Sequence, residues 1–373
     1  MTADGHPSAA PDVVDVVALG ESMVTFLPTR PGRLADVPSF DRTIGGAESN
    51  VACVLAAAGH STRWVSRVGA DGFGEHLAET VGGYGVDVAH VRRDADRPTG
   101  VYFRTAADRA TDAHEVAYYR AGSAASAMTV DNVDLAALRA ARVLHLSGIT
   151  AALSEECLDL VRHLVKPAAG RPLISFDVNH RPGLWRDAEG ARVLLELARD
   201  ADLVFVGEDE AEQAWGVTGG PAAVRRMLPE PKLLVVKEGA RGATAFERED
   251  GAGARPLRPA TDGRAAGPRT APANPPVLQP ALHVDVVATV GAGDAFAAGF
   301  LSATLRGLPL RDRIRHGHLM AAATLTVPGD LAAPPARSHA DRLAALDDGA
   351  WGRLRLGPGW TQADEAPEEA NTP

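Results

Sequence analysis

Short apolar runs alternate with segments of helical period along most of this chain. Residues 13–19 form a mostly apolar run that ends at Gly20, the pattern of a buried strand. Residues 47–58 carry small apolar side chains at helical spacing and close on Gly59. A second strand is predicted over 62–68 and a helix over 74–82. Further buried strands are predicted at 143–146, 173–178, 203–206 and 233–236, with helical patterns such as 155–165 and 191–198 between them. Strands alternating with helices predict an α/β fold built on a mostly parallel sheet.

Two stretches break the rhythm. Residues 23–27 with 37–44, and 100–105 with 115–119, read as strand pairs without an intervening helix. They predict a small β-sheet lid over about 23–44 and 99–120, placed to cover a site and exclude water. The main domain is expected over 13–346. Residues 250–280 hold many Pro, Ala, Gly and Arg and few large apolar side chains, so they read as a flexible insertion. Residues 347–373 read as an acidic tail and are expected to be disordered.

Composition narrows the function. Apolar residues make up 45% of the 373, enough to bury a full core. A net charge of −10 argues against nucleic acid as the partner, because phosphate binding wants a basic face. The two cysteines, Cys53 and Cys157, have no zinc or disulfide spacing and read as buried core thiols. The first 12 residues lack the basic and apolar regions of a signal peptide, and no apolar run has the length of a membrane span. The expected location is the cytoplasm, with no membrane partner.

Two glycine-rich strings carry candidate chemistry. Gly291, Ala292, Gly293 and Asp294 stand where a helical run begins. Glycines beside a helix start admit a ligand close to the backbone, and the free N–H groups and helix dipole favour an anion such as phosphate. Asp294 could take a proton from an attacking hydroxyl, or could simply cap the helix. Gly45-Gly46-Ala47-Glu48-Ser49-Asn50 also stands where a strand gives way to a helix, and Asn50 can bond two hydroxyls. Alone, it reads better as a tight turn before a capped helix.

An early Gly-Gly-x-x-x-Asn followed by a late Gly-Ala-Gly-Asp resembles the ribokinase (PfkB) family of sugar kinases. The resemblance implies a ribokinase-like three-layer α/β fold with a β-lid, ATP and Mg²⁺, and phosphorylation of a primary hydroxyl. Further strings are similar to the members that act on 2-keto-3-deoxygluconate: Thr99 to Tyr102, Tyr118 to Arg120, Leu146 to Thr150 and Asp177 to Arg181. By resemblance, Gly46, Ala47, Glu48, Ser49, Asn50, Tyr102, Tyr118, Tyr119, Arg120, Arg181, Asp294 and Asp330 surround the sugar. Asn179, His180, Arg181, Lys237, Glu238, Gly239, Ala240, Arg241 and Gly242 lie along the nucleotide, with Gly291, Ala292, Gly293 and Asp294. The implied mechanism makes Asp294 the base and the amides of 291–294 the stabilisers of the transferring phosphoryl group.

The chemistry of a sugar acid agrees, since arginine matches a carboxylate with a two-pronged fork, and Arg120 and Arg181 are both in the set. Thr25 stands where fructokinase-like members have an Asp, and losing that charge suits an anionic substrate. Other departures put parts of the resemblance in doubt. Ala288 replaces an Asp that helps bind a monovalent cation, so that cofactor is doubtful. The family's magnesium-linked Asn-x-x-Glu survives only as Gly207 with Glu210, leaving Glu210 as the metal candidate. The alternatives are another kinase of the family, for fructose, ribose or 5-dehydro-2-deoxygluconate, or a catalytically silent sugar sensor. The exposed lid edge leaves a homodimer through the lid open.

Overall fold

The computed structural model describes residues 11–105, 115–185, 189–248 and 274–362. Most of the predicted insertion therefore lies outside the described residues, as does the end of the predicted tail.

Nine strands form the main sheet. Across it they run Val277–Gln279, Ala243–Glu247, Leu233–Lys237, Leu203–Gly207, Leu173–Asp177, Ala141–Ser147, Val14–Leu19, Thr62–Gly69 and Val91–Asp94. Seven neighbours from Leu233–Lys237 to Val91–Asp94 pair in parallel, and the other two close one edge as antiparallel strands. The mostly parallel prediction holds, with each predicted strand present to within a few residues.

Side-chain alternation explains the layers. Val17, Leu19, Leu144, Leu146, Val204 and Val206 pack on one face, against helices Glu155–Val165 and Glu189–Asp200. Val16, Val143, Leu203 and Phe205 point the other way, against Ala47–Ala57, Ala292–Leu305 and Leu310–Leu325. Both faces are buried, so the strands are apolar throughout. Cys53 and Cys157 are buried free thiols, and burial pushes Cys53 up to about 12.

A second sheet of four strands, in the order Phe40–Gly45, Met23–Pro28, Val101–Arg104 and Val116–Tyr119, is the predicted lid. Its strand Phe40–Gly45 starts later than expected, just after Pro38, which has no N–H to give to a ladder.

Two expectations need correction. Residues 347–373 are not all a disordered tail. Asp348–Arg353 is helical, and Arg355–Leu356 pairs in parallel with His283–Val284. The reason is two apolar anchors: Trp351 is fully buried and Trp360 nearly so, both against Leu319, Ala322 and Ala323. The Arg315 guanidinium lies 4.5 Å above the Trp351 ring, and Trp351 Nε1 donates to Pro280 O at 3.0 Å. The predicted insertion likewise reaches too far. Val277–Gln279 is a strand of the main sheet, and Gln279 Oε1 accepts from buried Arg315 Nε at 2.6 Å. Among the described residues, no helix is long and apolar enough to cross a membrane.

Candidate active site

From Val14–Leu19 the chain builds the sheet outward in one direction, and from Ala141–Ser147 in the other. A parallel sheet opens a crevice at such a reversal, beyond the carboxyl ends of the strands. A cleft of about 810 Å³ lies there. Asp177, Gly207 and Lys237 reach it from strand ends, and Met23, Tyr102, Tyr118 and Arg120 come down from the lid.

Asp294 stands in the first turn of helix Ala292–Leu305. The helix cap, Gly291, has φ +78, a left-handed conformation that suits glycine, and a side chain there would strike the Asp330 carbonyl. No side chain caps this end, so its amides face the cleft unshielded by a cap. Asn50 Nδ2 donates to Asp294 Oδ2 at 2.8 Å, joining the two glycine-rich strings across 244 residues of sequence. Asp294 keeps a little surface towards the cleft but is closely surrounded by protein. Burial pushes its carboxyl up to about 7; Asp177 and Asp330 add to this, against the Asn50 hydrogen bond and the Lys237 charge. A carboxylate poised near neutrality is suited to accepting a proton.

The opposite end is a charge cluster. Lys237 Nζ donates to both oxygens of buried Asp177, at 3.2 and 3.1 Å. Burial would lower the Lys237 pKa, but Asp177 and Glu210 outweigh it and raise it. Glu210 accepts the Gly207 N–H through Oε2 at 2.6 Å, and burial raises its carboxyl. Asn179 has φ 37, the one non-glycine with positive φ among the described residues, and its buried Oδ1 has no hydrogen-bond partner there. Asn tolerates this left-handed conformation better than most residues, and here it lines the cleft.

The lid end carries two ion pairs. Arg120 pairs with buried Glu21, which also accepts from Ser123 Oγ at 2.5 Å. Arg120 lies 5.8 Å from the Tyr118 ring. Asp330 accepts from Tyr102 Oη at 3.0 Å and from Arg104 Nη2 at 2.7 Å. A side chain at Gly45 would run into Tyr102 Oη and the Asp330 carboxylate.

Most of the expected residues do meet in the cleft: Gly46, Ala47, Asn50, Tyr102, Tyr118, Arg120, Asn179, His180, Arg181, Glu210, Lys237, Gly239, Gly291, Gly293, Asp294 and Asp330 line it. Several do not. Glu48 is fully buried behind the wall, where Ser147 and Thr150 hydroxyls donate to it at 2.7 and 2.6 Å. Ser49 turns inward to Ser22, at 3.0 Å. Tyr119 is 66% exposed on the far face of the lid, edge-on to Phe103. Glu238 accepts from Thr244 Oγ1 at 2.7 Å, Arg241 pairs with Glu208, and Ala240, Gly242 and Ala292 also lie off the lining. Arg120 and Arg181 enter from different walls: Arg181 follows the Leu173–Asp177 strand, and its charge acts on Glu210. Asp177, Glu21 and Arg104 were missed. Asp177 opens the string Asp177 to Arg181, but a charge at the end of an apolar strand is all that marks it.

The profile of the pfkB family carbohydrate kinases matches residues 14–267 and 277–337. The chain belongs to this family. It is 34% identical to the 2-dehydro-3-deoxygluconokinase of Bacillus subtilis, covering 87% of this chain and 93% of that protein. It is 31% identical to a probable chloroplastic fructokinase of Arabidopsis thaliana, over 90% and 83%. The crystal structure of the 2-dehydro-3-deoxygluconokinase of Thermotoga maritima superposes with a TM-score of 0.72 at 26% identity, covering 88% of this chain and 99% of that one. The three-layer fold and the lid sheet are thus those of a sugar kinase.

Proposed function

We propose that this chain phosphorylates 2-keto-3-deoxygluconate (2-dehydro-3-deoxygluconate) on its primary hydroxyl, using ATP. Asp294 accepts the proton of that hydroxyl, and the oxygen attacks the γ-phosphorus in line. Asn50 holds the carboxylate of Asp294 in place by its 2.8 Å hydrogen bond. The amides at the start of helix Ala292–Leu305 face the charge that develops on the transferring phosphoryl group. Lys237 keeps the carboxylates of Asp177 and Glu210 from repelling the nucleotide phosphates.

The residues suit magnesium. Among the described residues no three carboxylate, histidine or cysteine side chains could hold an ion by themselves. Mg²⁺ typically takes one or two carboxylates and fills its shell with phosphate and water oxygens, and Glu210, which lines the cleft, would be such a carboxylate. When bound, the ion would neutralise charge on the phosphate oxygens. Ala288 is buried and supplies no carboxylate to a monovalent cation.

Arg120 carries the acid-sugar reading. It lines the lid end of the cleft, held from below by Glu21. A carboxylate is the natural acceptor for such a fork. The 31% identity to a probable fructokinase favours fructose as the second reading. A panel of sugars and sugar acids with ATP, read by ADP release, separates them. The keto-deoxy acid should exceed fructose and ribose by at least about tenfold in kcat/KM. Equal or better turnover of fructose would refute the acid-sugar reading.

A cytoplasmic enzyme, dimeric through the lid, is the expected setting. The edge strand Val116–Tyr119 supports the dimer, with Tyr118 and Tyr119 exposed on it. Equilibrium sedimentation showing a monomer would exclude that assembly.

A further inference from the structure

We propose that Arg104 is a specificity-determining residue: from the lid strand it neutralises Asp330 and so keeps the sugar end of the cleft acceptable to an anion. The proposal rests on the acid-sugar reading above and concerns a residue outside the cleft lining.

Arg104 and Asp330 are 3% and 4% exposed. Arg104 lies two residues beyond Tyr102 on the strand Val101–Arg104, so both side chains leave the same face. Both end on the one carboxylate, Tyr102 on Oδ2 and Arg104 on Oδ1. Asp330 lines the cleft and Arg104 stands behind it. The cleft thus shows the substrate an acid whose charge is cancelled from the rear.

Tyr102 and Thr25 face each other in parallel register. A Cβ placed on Gly45 would lie 2.6 Å from Asp330 Oδ2 and 3.1 Å from Thr25 Oγ1, with Tyr102 Oη also against it. The three oxygens therefore surround one small volume. Asp330 brings a carboxylate close to position 25, where none is present. The site keeps a carboxylate here, and Arg104 balances it. Thr25 itself is fully buried beside Tyr102.

A buried carboxylate stripped of its partner repels a substrate anion at close range and still accepts hydrogen bonds from neutral hydroxyls. Loss of Arg104 should therefore penalise the acid more than the neutral sugar. The test measures kcat/KM for 2-keto-3-deoxygluconate and fructose in the wild type, Arg104→Met, Arg104→Lys and the double variant Arg104→Met with Asp330→Asn. Arg104→Met should lower the acid-to-neutral ratio by at least about tenfold, chiefly through KM of the acid. Arg104→Lys, which keeps the charge, should hold the ratio within about threefold. Adding Asp330→Asn to Arg104→Met should bring the ratio back, because no uncompensated charge remains. An unchanged ratio in Arg104→Met, or equal losses for both sugars, overturns the proposal. If Arg104→Met does not fold, the double variant is compared with Asp330→Asn alone. A lower ratio in the double variant, which lacks the cation that Asp330→Asn alone retains, supports the proposal, and matching ratios overturn it. A wild type that prefers fructose removes the acid-sugar reading, while the direction in which Arg104→Met moves the ratio still judges the charge argument.

Discussion

Replacing Asp294 by Asn removes the base and leaves the shape. Asn50 Nδ2 can still donate to the oxygen of the new amide, so the contact at 2.8 Å survives in weaker form. A positioned base contributes about 10²–10⁴-fold, and kcat should fall by about 10²-fold or more with little change in ATP affinity. The structure adds two further expectations. With the carboxyl raised by burial to about 7, the wild type should lose about tenfold in kcat/KM between pH 8 and pH 6. The same shift bears on stability. An aspartate whose folded pKa lies above its unfolded value of 3.8 binds more protons folded than unfolded between those two values. Stability therefore declines as pH rises from about 4 to about 7, by at most about 4 kcal/mol from this one group. The Asn variant should escape that cost and melt higher than the wild type at pH 8, while turning over far more slowly. Initial rates across pH 5.5–8.5 and thermal melts at pH 5 and pH 8 read all three. Turnover within about tenfold of the wild type would refute the role of Asp294 as base. A wild-type profile flat from pH 6 to pH 8 would refute the raised carboxyl.

Other variants test separate parts. Arg120→Ala should narrow the preference for the sugar acid over fructose by at least about tenfold, and Arg120→Lys should restore it only in part, as read by kcat/KM for both sugars. Deleting residues 255–276 stops short of the strand Val277–Gln279, so the melting temperature and activity should stay close to wild type. Trp351→Ala empties a fully buried site and strips Arg315 of its ring; chemical denaturation should show a loss of about 3–5 kcal/mol.

The sheet was legible because its strands are apolar on both faces and the intervening helices carry a different period. Half of the site was legible for a similar reason: each glycine-rich string marks a point where backbone must come close to something. What failed was the assignment of neighbours along a string. Gly46, Ala47 and Asn50 face the cleft, while Glu48 and Ser49 point into the protein. Positions 47 and 50 share a helix face and 48 and 49 do not, so helical period alone separates them. Tyr118 and Tyr119 are adjacent on a strand, and only one can look into the cleft. The anchors at Trp351 and Trp360 were hidden because an acidic average conceals two large apolar side chains. The pairing of Arg104 with Asp330 spans 226 residues, and no local pattern announces such a contact.

The central claim is that this cleft selects an acidic sugar for phosphorylation. One competition measures it directly: equal concentrations of 2-keto-3-deoxygluconate, fructose and ribose, with limiting ATP and magnesium, the products resolved by phosphorus NMR. The account predicts the 6-phosphate of the keto-deoxy acid in at least about tenfold excess over either sugar phosphate. Fructose phosphate as the main product would contradict it.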